Sequence, residues 1–318
     1  MSLTGIRIRS LSLICASLGV VFAQSADADK QLAQGRDLRA AGRYVEAQNV
    51  FAALLRESEQ QNREGVFVAT VLDSLALTKQ DLGDFVAAES LFTRSLAIVR
   101  DPGVESHLGE VYLEERRAQE AESLFRHVLQ ARQNAPQPDP TNTAVALADL
   151  AMVYRFTGKF GQSEGLLRQA LALLEDHLGP DNPMLSAALC PLGSTLTREG
   201  KYKEALSVTE RAWQVLRKDP RVAEPDLIST MSNLGLLYAL AGQVHEAEFY
   251  GQEAVAKAEA LYGDHPRLAW HLANYAAILK RIGRKAEAKA AQQRSAAILA
   301  RSAEANPVRS AVNVTALG

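Results

Sequence analysis

Apolar residues return along this chain at helical spacing, in blocks cut at regular intervals by a glycine. Residues 226–266 show the pattern clearly. Ile228, Met231, Leu234, Leu237 and Tyr238 recur at three- and four-residue steps, which places their side chains on one face of an amphipathic helix. Gly242-Gln243 interrupts the run and predicts a turn. A second helix is predicted from about Val244 to Leu261. Gly263 and Pro266 end it, because glycine takes the left-handed position after a helix and proline cannot continue one. One block therefore reads as a hairpin of two antiparallel helices.

The block recurs seven times. Its turn is marked by Gly42, Gly83, Gly158, Gly200, Gly242 and Gly283, with Arg116 in the one place where glycine is missing. Successive markers are 41, 33, 42, 42, 42 and 41 residues apart. A period in this range is the signature of a stacked repeat protein. The expected fold is all-α, an α-solenoid of about seven stacked helix-turn-helix repeats over residues 28–301.

Two columns of small residues run in phase with the markers. Seven residues before each marker stand Gly35, Ala76, Gly109, Ala151, Gly193, Gly235 and Ala276. Five residues after it stand Ala47, Ala88, Ala121, Ser163, Ala205, Ala247 and Ala288. Small residues let two helix backbones approach closely where they cross. Leu75, Leu108, Leu150, Leu192 and Leu234 form a large apolar column, and Tyr112, Tyr154 and Tyr238 recur four residues before their markers.

Leu234-Gly235-Leu236-Leu237-Tyr238 and Gly200-Lys201-Tyr202-Lys203-Glu204-Ala205 resemble the tetratricopeptide repeat (TPR). The 42-residue period is longer than is usual for that family. Leu178-Gly179-Pro180-Asp181-Asn182-Pro183 and Leu261-Tyr262-Gly263-Asp264-His265-Pro266 close two copies. Period and closures together are similar to the kinesin-light-chain type of repeat. The resemblance implies a right-handed superhelix whose concave surface is lined by the first helix of each repeat. The third copy departs from the pattern with Arg116 and Ala118, and the seventh with Lys285 and a polar second helix, as suits a terminal repeat.

The ends read differently. Residues 1–23 carry Arg7 and Arg9, an apolar run and a small-residue Val21-Phe22-Ala23 site, the order of a cleaved signal peptide. Cleavage would remove two arginines and no acid, taking the net charge from −2 to −4. Export is expected, to the bacterial periplasm or the medium, with no membrane span left in the mature chain. Residues 302–318 have no clear period and are expected to form a poorly ordered tail. A net acidic chain with 6% aromatic residues offers neither the positive field nor the stacking surface that nucleic-acid binding needs. Only Cys190 would survive cleavage, so no internal disulfide forms, and packing is its expected role.

No catalytic or cofactor motif is present: no phosphate-binding glycine loop, no nucleophile elbow and no histidine pair at zinc-site spacing. The expected partner is a protein or peptide. The column nine residues before the marker, a contact position in proteins this chain resembles, reads Ala33, Ser74, His107, Asp149, Pro191, Asn233 and Asn274. Asn233 and Asn274 could grip an extended backbone, since an amide both donates and accepts. Arg155, Arg198, Lys280 and Arg281 lie two or three residues before their markers and would favour acidic groups. With Asp149, these six form the candidate protein-binding set. Pro191 would kink its helix and widen the groove near Cys190. An alternative reading is a structural subunit that stacks against copies of itself or an envelope assembly, with no peptide groove in use.

Overall fold

The computed structural model describes residues 27–61, 65–219, 222 and 224–305. The expected signal peptide at 1–23 lies outside the described residues, as do residues 306–318 of the expected tail. The described residues contain no strand, and none of their helices is long and apolar enough to cross a membrane.

The chain divides into two compact units, residues 1–100 and 101–318. In the first unit, α1 (residues 27–40) pairs with α2 (Tyr44–Gln60), and α3 (Val66–Asp81) with α4 (Phe85–Ile98). The second unit holds five hairpins. They are α5 (Pro102–Glu114) with α6 (Ala118–Gln133), α7 (Pro140–Phe156) with α8 (Phe160–Leu178), and α9 (Ser186–Arg198) with α10 (Tyr202–Leu216). Then follow α11 (Glu224–Ala241) with α12 (Val244–Tyr262), and α13 (Pro266–Arg281) with α14 (Lys285–Ala305). A short 3-10 turn, Pro183–Leu185, leads into α9. α9 runs unbroken through Pro191.

All seven hairpins turn in the same way. The N–H of Gly42 bonds to the carbonyl of Arg39 at 3.0 Å and that of Arg43 to Leu38 at 2.9 Å. The same two bonds recur at each of the other six markers. They satisfy carbonyls at the helix end that would otherwise lack partners, and they require a left-handed residue between them. The markers have φ from 62° to 90°, with Arg116 at the low end as the one non-glycine residue of positive φ among those described. Arg116 therefore keeps the turn at a steric cost that glycine escapes.

The small columns are buried where the helices of a hairpin cross. Ala47, Ala88, Ala121, Ala205 and Ala247 have no exposed surface. How each crossing is filled changes along the chain. Phe51, Phe92 and Phe125 are fully buried plugs nine residues after their markers. A Cβ on Gly35 would lie 2.4 Å from the Phe51 ring, and one on Gly109 would lie 2.7 Å from Phe125. In α12 the plug position is Gly251, and the next hairpin fills the space instead. A Cβ there would meet the Tyr275 ring at 2.8 Å and Ile278 Cδ1 at 3.0 Å.

Candidate functional site

In the second unit the first helices α5, α7, α9, α11 and α13 touch in succession, so equivalent positions on them line up as rows. The row nine residues before the turn holds His107, Asp149, Pro191, Asn233 and Asn274, all half-buried. Asn233 and Asn274 make no side-chain hydrogen bond to another described residue. Their amides sit in the same register on contacting helices. In the first unit the same position is exposed at Ala33 and closed at Ser74, whose hydroxyl donates to the Thr70 carbonyl at 2.9 Å.

Asp149 and Glu110 converge. Both line a cavity of about 160 Å³, together with Ser106, His107 and Asn142. Burial raises the Asp149 carboxyl to about 6, and the charge of Glu110 adds to the effect. A hydrogen bond from Ser106 and the charge of His107 oppose it. Burial also raises Glu114, again with Glu110 adding to it, while Arg267 pulls the other way. Asp226 is raised by burial and held back by the same Arg267.

Arg155 and Arg198 also come together, although neither neutralises the other. Burial pushes Arg155 down from the usual arginine range, and the nearby charge of Arg198 pushes it further. Its Nε is buried and has no hydrogen-bond acceptor. Arg198 is exposed, and its guanidinium stands 6.0 Å from the centre of the Phe160 ring. Lys280 and Arg281 occupy the last turn of α13 and are exposed. Cations are favoured at a helix's carbonyl end without any ligand. Neither has a hydrogen bond or ion pair with another described residue. The seven residues thus fall into an open amide pair, an acid cavity, an arginine pair and two exposed cations.

Cys190 packs in the core: burial raises its thiol to about 11, and its Sγ lies 3.6 Å from Thr230 Oγ1. His271, which no motif or column marks, is buried beside Trp270 and shares a 2.7 Å hydrogen bond between its Nδ1 and Ser232 Oγ. Burial lowers it to about 4, with the charge of Arg267 adding to the effect. Glu114 stands two residues before its marker, in the same column as Arg198 and Arg281. Among the described residues, no group of three or more His, Cys, Asp or Glu could hold a metal ion.

The family model described as tetratricopeptide repeat matches residues 103–176 and 226–301. These segments fall on α5 to α8 and on α11 to α14. Among curated protein sequences none matches the chain. Solved structures do. One is a putative kinesin light chain of Podosopora anserina with nearly identical TPR-like repeats, at 22% identity and a TM-score of 0.50, covering 64% of this chain and 99% of that one. Another is BtubC (BKLC) from P. vanneervenii, at 23% identity and a TM-score of 0.50, covering 75% and 94%. A Rap protein complexed with Competence and Sporulation Factor matches at 13% identity and a TM-score of 0.58, covering 87% and 99%. At these identities the likeness is one of fold.

Proposed function

We propose that the chain, whose residues 103–176 and 226–301 match the tetratricopeptide-repeat family model, serves as an exported, non-enzymatic scaffold that binds an extended protein segment. The segment lies along the first helices of the second unit. The observation that carries this reading is the pair Asn233 and Asn274, in one register on contacting helices and unbonded to other described residues. An amide can donate to and accept from a peptide backbone, so two in a row hold a strand without reading its side chains. That a Rap protein of similar fold was solved complexed with a factor supports the use of such a fold as a receptor. The 42-residue period supports the kinesin-light-chain type of repeat. The order of residues 1–23 supports export, with the periplasm as the setting and secretion as its alternative.

Capture of partners from an envelope extract tests the reading. A variant with Asn233→Ala, Asn274→Ala, Arg198→Glu and Arg281→Glu is expected to lose the partners that the unaltered protein retains. Unchanged capture by the variant rejects this face as the binding surface.

A further inference from the structure

The seventh hairpin lacks a side chain that the other six possess. Eight residues after each turn marker stand Val50, Leu91, Leu124, Leu166, Val208 and Tyr250, but in α14 the position is Ala291. Leu166 shows what the large residue does: it packs against core residues of its own hairpin and of both neighbours. The next position in α14 does not make up the loss. It is Gln292, which is exposed, where Phe51, Phe92 and Phe125 are buried plugs.

A cavity of about 330 Å³ lies at Ala291. Val255 of α12, Leu272, Tyr275 and Leu279 of α13, and Ala290 of α14 border it as well. The Tyr275 ring is already committed to the gap at Gly251 of α12. Glu287 and Arg294 also stand at the border, and both are paired, Glu287 with Arg284 and Arg294 with Glu259. An unfilled apolar space forfeits dispersion contacts, and walls of this kind favour an apolar occupant without charge. The chain after α14 contains one. Residues 310–317, Ser-Ala-Val-Asn-Val-Thr-Ala-Leu, carry no charged side chain. In an extended segment alternate side chains point the same way, so Val312, Val314 and Ala316 would share a face about 13 Å long. Leu272 and Leu279 are seven residues apart, which is about 10 Å of helix. The reach is also sufficient. Ala291 lies 14 residues before Ala305, where α14 ends, or about 21 Å along the helix. The nine residues from Ala305 to Val314 can span about 30 Å.

We propose that residues 310–317 dock in extended form in the cavity between α12 and α14, where Val312 and Val314 supply the apolar side chains that Ala291 does not. In this arrangement the chain leaves the axis of α14 at Pro307, which cannot continue a helix, and returns along α14. The last hairpin is then completed by the segment that follows it. Neither Asn233 nor Asn274 borders the cavity, so the docked segment and the proposed protein partner do not compete for one face.

A photo-reactive amino acid in place of Ala316 tests the docking in the purified full chain, with the adduct located by mass spectrometry of its peptides. The expected adduct lies within one chain, on the peptides that carry Tyr275, Leu279 or Ala290. Two variants are expected to lose it. Ala291→Leu fills the cavity with the residue type of the other hairpins. Val312→Ser with Val314→Ser removes the apolar face, and it leaves the hairpins unaltered, so it decides the matter even if Ala291→Leu disturbs their packing. Circular dichroism checks that both variants keep their helices. An adduct that joins two chains assigns the cavity to a second copy and overturns the proposal. An adduct elsewhere in the chain, no adduct at all, or a yield that the Val312→Ser, Val314→Ser variant leaves unchanged overturns it equally.

Discussion

Between α1 and α3 an arginine meets a buried aspartate; between α7 and α9, in the same register, an arginine meets another arginine. The two junctions belong to the same kind of repeat and differ in what they leave unsatisfied. In the first unit, several polar groups on the first helices find partners within the unit: Ser74 and Thr78 bond back to carbonyls, Lys79 pairs with Asp84, and Arg39 with Asp81, while Gln80 Oε1 is buried without a hydrogen-bond partner. In the second unit, like charges crowd the corresponding helices, with Asp149 and Glu114 near Glu110, and Arg155 near Arg198. Perturbed groups of this kind cluster at functional sites and also arise in structural charge networks. The first unit pairs unlike charges at this register where the second brings like charges together.

The largest expected effect comes from copying the second junction into the first. Asp81→Arg replaces a nearly buried partner with a like charge and should cost about 3–5 kcal/mol, read from urea denaturation followed by circular dichroism. A loss below about 1 kcal/mol would place the pair among exposed ion pairs of little consequence and remove the basis of the comparison.

A smaller effect tests whether the acid cavity is held against its own preference. The Asp149 carboxyl is raised from 3.8 to about 6, so its contribution to stability is complete below about pH 4 and is lost as pH rises through 6. Asp149→Asn should therefore stabilise the protein at pH 7 by about 1–3 kcal/mol. His271 works in the opposite sense. It is lowered from 6.5 to about 4, so its contribution is present above pH 6.5 and is lost as pH falls through 4. The two windows overlap and offset each other in the unaltered chain. Without Asp149 the opposing gain is gone, so denaturation midpoints of Asp149→Asn should fall more steeply from pH 7 to pH 5. A variant less stable than the original at pH 7 would contradict the account.

The smallest effect concerns the turns, where all seven hairpins should agree. Arg116→Gly relieves a left-handed arginine and should stabilise by about 0.5–1 kcal/mol, seen as a higher thermal midpoint. No change would mean that the side chain of Arg116 compensates for the backbone conformation it adopts.

The hairpins were legible in the sequence because their signals are local. A left-handed turn needs glycine, and an apolar face needs helical spacing, so Gly42, Gly83 and their equivalents mark the turns directly. Even Arg116 was found by its place in the period. The small columns were legible for the same reason, although nothing local says that the crossing at Gly251 is filled from α13 while Phe125 fills its own hairpin. The candidate site was legible only as a set of columns. Asp149 and Glu110 lie 39 residues apart and Arg155 and Arg198 lie 43 apart, and only the stacking of hairpins shows that each pair converges. His271 finds its hydrogen-bond partner in Ser232, on another hairpin, which no spacing within α13 reveals. Asp81 carried the sharpest clue, since its column also holds Arg198, but a column shows register without showing what it faces.

Photo-crosslinking from two faces of one hairpin tests the central claim most directly. A photo-reactive amino acid replaces either Asn233 on α11 or Phe249 on α12, which is 53% exposed, and the full chain is irradiated in an envelope extract. The account predicts protein adducts from the Asn233 position that exceed those from Phe249. Adducts from Phe249 alone, or equal yields from both, would contradict a partner seated on the first helices.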